Sequence, residues 1–150
     1  MNLTTPSVIT AGALAERAQP TLATTDGLLL RPWEPADAAV FFAAYQDPAI
    51  RRWHTRQPAS EAQARCAYWV LPAARSAGVA PRALTALTVW AFEDIGFHRL
   101  ELDHSTRNEA SCRVAAKAGF LVEGIRRSAA VHADGRHDMH LHARIRDLPA

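Results

Sequence analysis

Tyr68-Trp69-Val70-Leu71-Pro72, then Arg75-Ser76-Ala77-Gly78-Val79-Ala80, then an apolar helical stretch over residues 81–95 decide the fold of this 150-residue chain. The first piece is aromatic and β-branched, stops at a proline and reads as a strand over residues 67–71. In the last piece Pro81 suits a first helical turn, Leu84, Leu87, Thr88, Ala91 and Phe92 line one face, and Gly96 ends the helix. A strand that turns through Gly78 and Ala80 into a long helix brings backbone N–H groups close to an anion. The helix adds its unpaired N-terminal donors and the positive end of its dipole. A phosphate or pyrophosphate fits such a turn. The phosphate loop of nucleoside triphosphatases does not, because the second glycine and the Lys-Ser/Thr pair are missing, and neither does the three-glycine dinucleotide fingerprint.

Outward from this stretch the elements follow in order. Residues 98–104 alternate, with Leu100 and Leu102 to one side and Arg99, Glu101 and Asp103 to the other, as a strand does. Asn108 is an N-cap candidate for a helix through Ala118, closed by Gly119 in a left-handed conformation. Residues 121–131 and 137–145 flank Ala133-Asp134-Gly135-Arg136, a hairpin signal. Upstream, Gly27-Leu28-Leu29-Leu30-Arg31 reads as a strand, and Pro35-Ala36-Asp37 opens a helix with Val40, Phe41, Ala44 and Tyr45 on its apolar face. Ser60-Glu61-Ala62-Gln63 is a capping box for another helix. Residues 1–19 read as a loose leader and 20–150 as one domain. The order predicts a mixed α/β sheet flanked by helices.

Composition bounds the function. With 17 basic and 15 acidic groups and a net charge of +2, no block of like charge dominates. An acidic tail, a histone-like arm and a polybasic membrane patch are excluded. The arginines are scattered and RNA-stacking motifs are absent, so no nucleic-acid partner is expected. No apolar run approaches the about 18 residues that span a bilayer, so no membrane partner is expected either. Cys66 and Cys112 have no CxxC spacing, which fits a reduced, cytoplasmic protein. His140-x-His142, with His137 and His132 across the turn, invites a metal reading. Alternation with Met139 and Leu141 explains the same residues as an exposed strand face with no cysteine near, so no metal is expected.

Two consecutive βα units bring both turns to one sheet edge, where ligands favour binding. Here the chain resembles the GNAT superfamily of acyl-coenzyme A-dependent N-acyltransferases. The resemblance rests on Tyr68-Trp69-Val70-Leu71-Pro72, Arg75-x-x-Gly78-x-Ala80, the helix from Leu84 through Phe92, and Asn108-x-x-Ser111-x(5)-Lys117-x-Gly119-Phe120. Leu30-Arg31-Pro32 with Asp37, and Trp90-Ala91-Phe92 with His98-Arg99-Leu100-Glu101-Leu102, are similar to the ribosomal-protein N-terminal acetyltransferase branch. The resemblance implies acetyl-coenzyme A as cosubstrate and a primary amine, on a protein N-terminus or a small molecule, as acceptor. Arg75, Ser76, Ala77, Gly78, Val79 and Ala80 would hold the pyrophosphate, and Tyr68, Trp69, Val70 and Leu71 the pantetheine arm. Asn108 and Ser111 would lie by the thioester, with Ser111 as the acid that reprotonates the thiolate.

Against the family pattern, the helix ending near Cys66 runs almost directly into Tyr68, leaving no room for the usual β2–β3 hairpin. An exposed strand edge and a homodimer are the expected consequences. No acidic residue stands between Glu61 and Tyr68, where the family carries a glutamate; His104, next to Asp103, is the substitute base candidate. Ser76, Ala77 and Pro81 replace residues that are usually glycine, basic and hydroxylic, and Pro81 has no N–H to give. The alternative reading is therefore a degenerate, non-catalytic module that binds coenzyme A or a protein.

Overall fold

Strand β5 (Gly135–Ile145) lies between β3 (Arg99–Ser105) and β4 (Leu121–His132), and both ladders are antiparallel. The computed structural model describes residues 13–44, 46–53 and 68–146. His132 pairs with Gly135, so the hairpin turns on Ala133-Asp134 alone. Gly135 sits at φ +118°, a conformation side chains resist. Register shifts between Val122 and Gly124 and between Arg126 and Ala130 mark two bulges in β4.

Helix α4 (Val79–Trp90) starts two residues before the predicted stretch and runs on through a wide turn, Ala91–Ile95, to Gly96 at φ +87°. Helix α5 (Glu109–Lys117) begins where predicted, with the Asn108 side chain accepting from the Ser111 N–H, and ends at Gly119 with φ +79°. Upstream stand α1 (Ala13–Glu16), a small hairpin of β1 (Leu22–Ala23) and β2 (Leu29–Leu30), α2 (Ala38–Ala44) and α3 (Pro48–Arg51). The Arg31 guanidinium and the Glu34 N–H both bind the Asp37 carboxylate and hold its pKa down at about 2. That pairing joins β2 to the turn that opens α2.

The strand expected over residues 67–71 is not formed among the described residues: 68–71 carry no regular structure and lead into a single 3-10 turn, Pro72–Ala74. Tyr68 donates its hydroxyl to the Ser111 carbonyl at 3.2 Å and packs on the core. The parallel pairing that segment would have supplied is thus missing from the described sheets. The leader through residue 12, Tyr45, Cys66, the Ser60 capping box and the site of the shortened hairpin all lie outside the described residues.

Leu84 of α4, Leu102 of β3, Ala115 of α5, and Ala118 and Phe120 beyond it form the core, with Tyr68, Leu100 and Val114 packed against it. Replacing Phe120, which is 2% exposed, with Ala should lower stability by about 3–5 kcal/mol. The same change at its neighbour Leu121, 74% exposed, should stay within about 0.5 kcal/mol. Urea midpoints of the two variants measure the contrast.

Candidate functional site

Four residues, 75–78, separate the 3-10 turn from α4, and two of them have unusual backbone. Ser76 and Gly78 both adopt left-handed conformations, φ +64° and +69°, around Ala77. Residues 75–78 form a hydrogen-bonded turn into α4, in which the N–H groups of Ser76, Ala77 and Gly78 make no short backbone hydrogen bond among the described residues. Those of Val79 and Ala80 belong to the first helical turn, which has no intrahelical acceptors. The result is a concave run of amide donors at the positive end of a 12-residue helix. A Cβ at Gly78 would meet nothing within 4 Å, so glycine is set there by backbone angle and not by space.

Arg75 and Arg82 flank this run. Arg75 is engaged: its Nε donates to the Val70 carbonyl at 3.1 Å and its Nη2 binds the Asp47 carboxylate. Arg82 was not evident as a site residue from sequence. Its guanidinium reaches back over the turn, donating to the Gly78 carbonyl at 3.3 Å and the Ala77 carbonyl at 3.4 Å, and pairs with Asp26 at 2.7 Å. Its place four residues after Gly78, in the first turn of α4, was the signal. Trp69 lies 6.2 Å from Trp33, ring centroid to ring centroid. Leu71, partly exposed, precedes the 3-10 turn.

The start of α5 is tied to this segment by the Tyr68–Ser111 bond. Asn108 is 7% exposed, and its carbonyl oxygen accepts from the Ser111 N–H at 3.1 Å. Its side chain therefore serves as a helix cap. Ser111 is half-buried; its backbone N–H and carbonyl are the groups held by Asn108 and Tyr68, and its hydroxyl makes no hydrogen bond to described residues. The structure thus brings Tyr68, Asn108 and Ser111 to one place and sets residues 75–80 at the opening of α4.

The histidines differ from their expected exposed face. His104, His132, His137 and His142 are all buried, and alternation divides them between the two faces of the sheet. His104 and His140 are paired residues, and Leu102 pairs with His142, so these three rings share the face covered by α5. Cys112 of α5 joins them there, correcting the expectation that no cysteine is near. It lies three residues before Ala115, on the stripe of α5 turned to the sheet, which helical spacing could have revealed. On the other face His137 stacks on His132 at 4.2 Å, with the Trp53 ring edge-on to both. Asp134, His137 and Ser105 are linked at 2.8 Å and 2.8 Å in the order of a nucleophile triad. Ser105 is 2% exposed, so no acyl substrate reaches its hydroxyl.

Burial depresses the pKa of His104, His132 and His142 below 6.5. The unfolded chain takes up protons near 6.5 that the folded one refuses, so stability is full above that pH and falls as pH drops below it. Thermal melts should fall progressively from pH 7 to pH 5, and His132→Leu should reduce that slope. A flat profile would contradict the burial.

The acetyltransferase (GNAT) domain family model matches residues 61–121. Comparison with curated proteins finds no match. Among solved structures, RimJ of Mycobacterium smegmatis in complex with CoA-disulfide aligns with TM-score 0.70 at 19% identity, over 84% of this chain and 86% of that one. A ribosomal-protein-alanine acetyltransferase from Vibrio fischeri aligns at 0.69 and 17% identity, over 79% and 93%. RimL, a ribosomal alpha-N-protein acetyltransferase in complex with coenzyme A, aligns at 0.52 and 26% identity, over 55% and 46%. The chain spans about half the length of the first structures it matches. Over residues 61–121 the chain is thus similar to the acetyltransferase (GNAT) domain, and its fold is similar to that of solved acetyltransferases of that family.

Proposed function

We propose that the domain over residues 20–150 transfers an acetyl group from acetyl-coenzyme A to a primary amine, on a protein N-terminus or a small molecule. The observation that carries this reading is the turn through the left-handed Ser76 and Gly78, which opens directly into α4. In the proposal the amides of Ser76, Ala77 and Gly78, with those of Val79 and Ala80, hold the pyrophosphate, and the helix dipole adds to their pull. Arg75 and Arg82 flank the turn, each paired with an aspartate, Asp47 and Asp26. Pro81 contributes shape only.

From that anchor the pantetheine arm runs along Tyr68, Trp69, Val70 and Leu71 toward the start of α5. The Tyr68–Ser111 bond supports this path by joining the segment to the helix that bears Ser111. The neutral amine attacks the thioester carbonyl, the C–S bond breaks, and the Ser111 hydroxyl protonates the departing thiolate. The ammonium proton leaves to water, and the serine recovers its own from solvent. Positioning of the two substrates supplies most of the acceleration. Asn108 acts by fixing the helix turn that presents Ser111. Ribosomal-protein N-termini and spermidine are the acceptors named for relatives of this fold, which supports an amine here.

Calorimetric titration with acetyl-coenzyme A, with adenosine bisphosphate as control, tests the anchor. Micromolar binding is expected, and Gly78→Val should weaken it at least tenfold, about 1.4 kcal/mol, because a β-branched residue resists φ +69°. Unchanged affinity in the folded variant removes the turn from the site. Ser111→Ala should leave binding intact and slow turnover about 100-fold. Binding without turnover in the unmodified chain would select the non-catalytic reading.

A further inference from the structure

The four side chains gathered between α5 and the sheet form a donor set of their own. One ligand atom from each of His104, Cys112, His140 and His142 lies within 4.8 Å of every other. Tetrahedral zinc, with bonds of about 2.0–2.1 Å to nitrogen and 2.3 Å to sulfur, sets its ligand atoms about 3.4 Å apart. The Nε2 atoms of His104 and His142 are already 3.0 Å apart. Small side-chain movements bring the rest to that spacing.

The proton positions favour an ion at the centre. A carbonyl only accepts, so the 2.8 Å contact between His104 Nδ1 and the Ser105 carbonyl places the ring proton on Nδ1. In the neutral ring, Nε2 is then an acceptor lone pair on the side of the other three donors, 3.0 Å from His142 Nε2. Orientation of a ligating imidazole by a backbone carbonyl on its far nitrogen is the usual support of a metal site. His140 Nδ1 is buried with no hydrogen-bond partner among the described residues. A purely structural polar cluster would be expected to satisfy this nitrogen.

We propose that His104, Cys112, His140 and His142 bind a zinc ion. Three imidazoles and one thiolate complete a tetrahedron from protein groups alone, the pattern of a structural site, and a nitrogen–sulfur set rejects magnesium and calcium. On binding, the Cys112 S–H bond breaks, its proton passes to solvent and a sulfur–zinc bond forms. The ion ties α5 to β3 and β5, one residue from Ser111. This assignment does not depend on the acyltransfer reading.

The test uses the full chain, stripped with chelator and titrated with Co2+. One equivalent should produce the visible bands of tetrahedral cobalt and a thiolate-to-cobalt charge-transfer band, both bleached by added Zn2+. Cys112→Ser, at a half-buried position, should abolish the charge-transfer band and weaken Zn2+ binding at least tenfold. His132→Leu, on the opposite face, should keep both. Absence of the charge-transfer band in the folded chain, or equal Zn2+ affinity in Cys112→Ser, would overturn the site.

Discussion

Insertion of β5 between β3 and β4 is the constraint on which the remaining geometry rests. It is the last strand in sequence, yet it supplies the ladder for both neighbours. Only through it do residues of β3 and β4 come into common register. The insertion brings His140 opposite His104 and His142 opposite Leu102, and it gives α5 one continuous surface to cover. The core of Leu84, Leu102, Ala115, Ala118 and Phe120 fills the contact between that surface and the two long helices. Placement of Ser111 at the head of α5 follows from the same packing.

A second feature is the number of imidazoles taken out of water. Neutral histidine is tolerated in an interior when each nitrogen finds a partner or a metal, whereas a charged ring is not. On the α3 side of the sheet, His132 and His137 are stacked beneath Trp53 and tied through Asp134 and Ser105 to the hairpin tip. On the α5 side the rings face a sulfur. Two unlike polar clusters therefore occupy opposite faces of one three-stranded sheet, and the strand's period of two keeps them apart.

Much of this was legible in sequence, for identifiable reasons. Pro81, Gly96, Asn108 and Gly119 mark helix ends because each has a backbone preference that acts locally, and α4 and α5 begin or end within a few residues of them. The hairpin was legible from Asp134-Gly135 between alternating runs. The segment at residues 68–71 misled because aromatic and β-branched content reports fit to a sheet surface, not the presence of a neighbouring strand. The histidines misled for a related reason: alternation identifies which residues share a face but not whether that face is covered. Cys112 and the rings it meets are separated by up to 30 residues of chain, so only the folded topology joins them. The conformations of Ser76 and Gly78 were half legible, since glycine signals a left-handed turn and serine does not.

Strand β4 leaves one side of its backbone without a ladder partner among the described residues, and Leu121, Val122, Ile125 and Val131 are exposed along it. A straight edge strand of this twelve-residue length would be a template for cross-β stacking. The two bulges cut the run into pieces of two or three paired residues, and the left-handed Ser128, with its N–H held by the Asp138 carboxylate at 2.7 Å, adds a sharp bend. No piece is long enough to seed an ordered stack with the same strand of another molecule. The irregularities in β4 thus act as resistance to fibril growth, written into the backbone of the strand that most needs it.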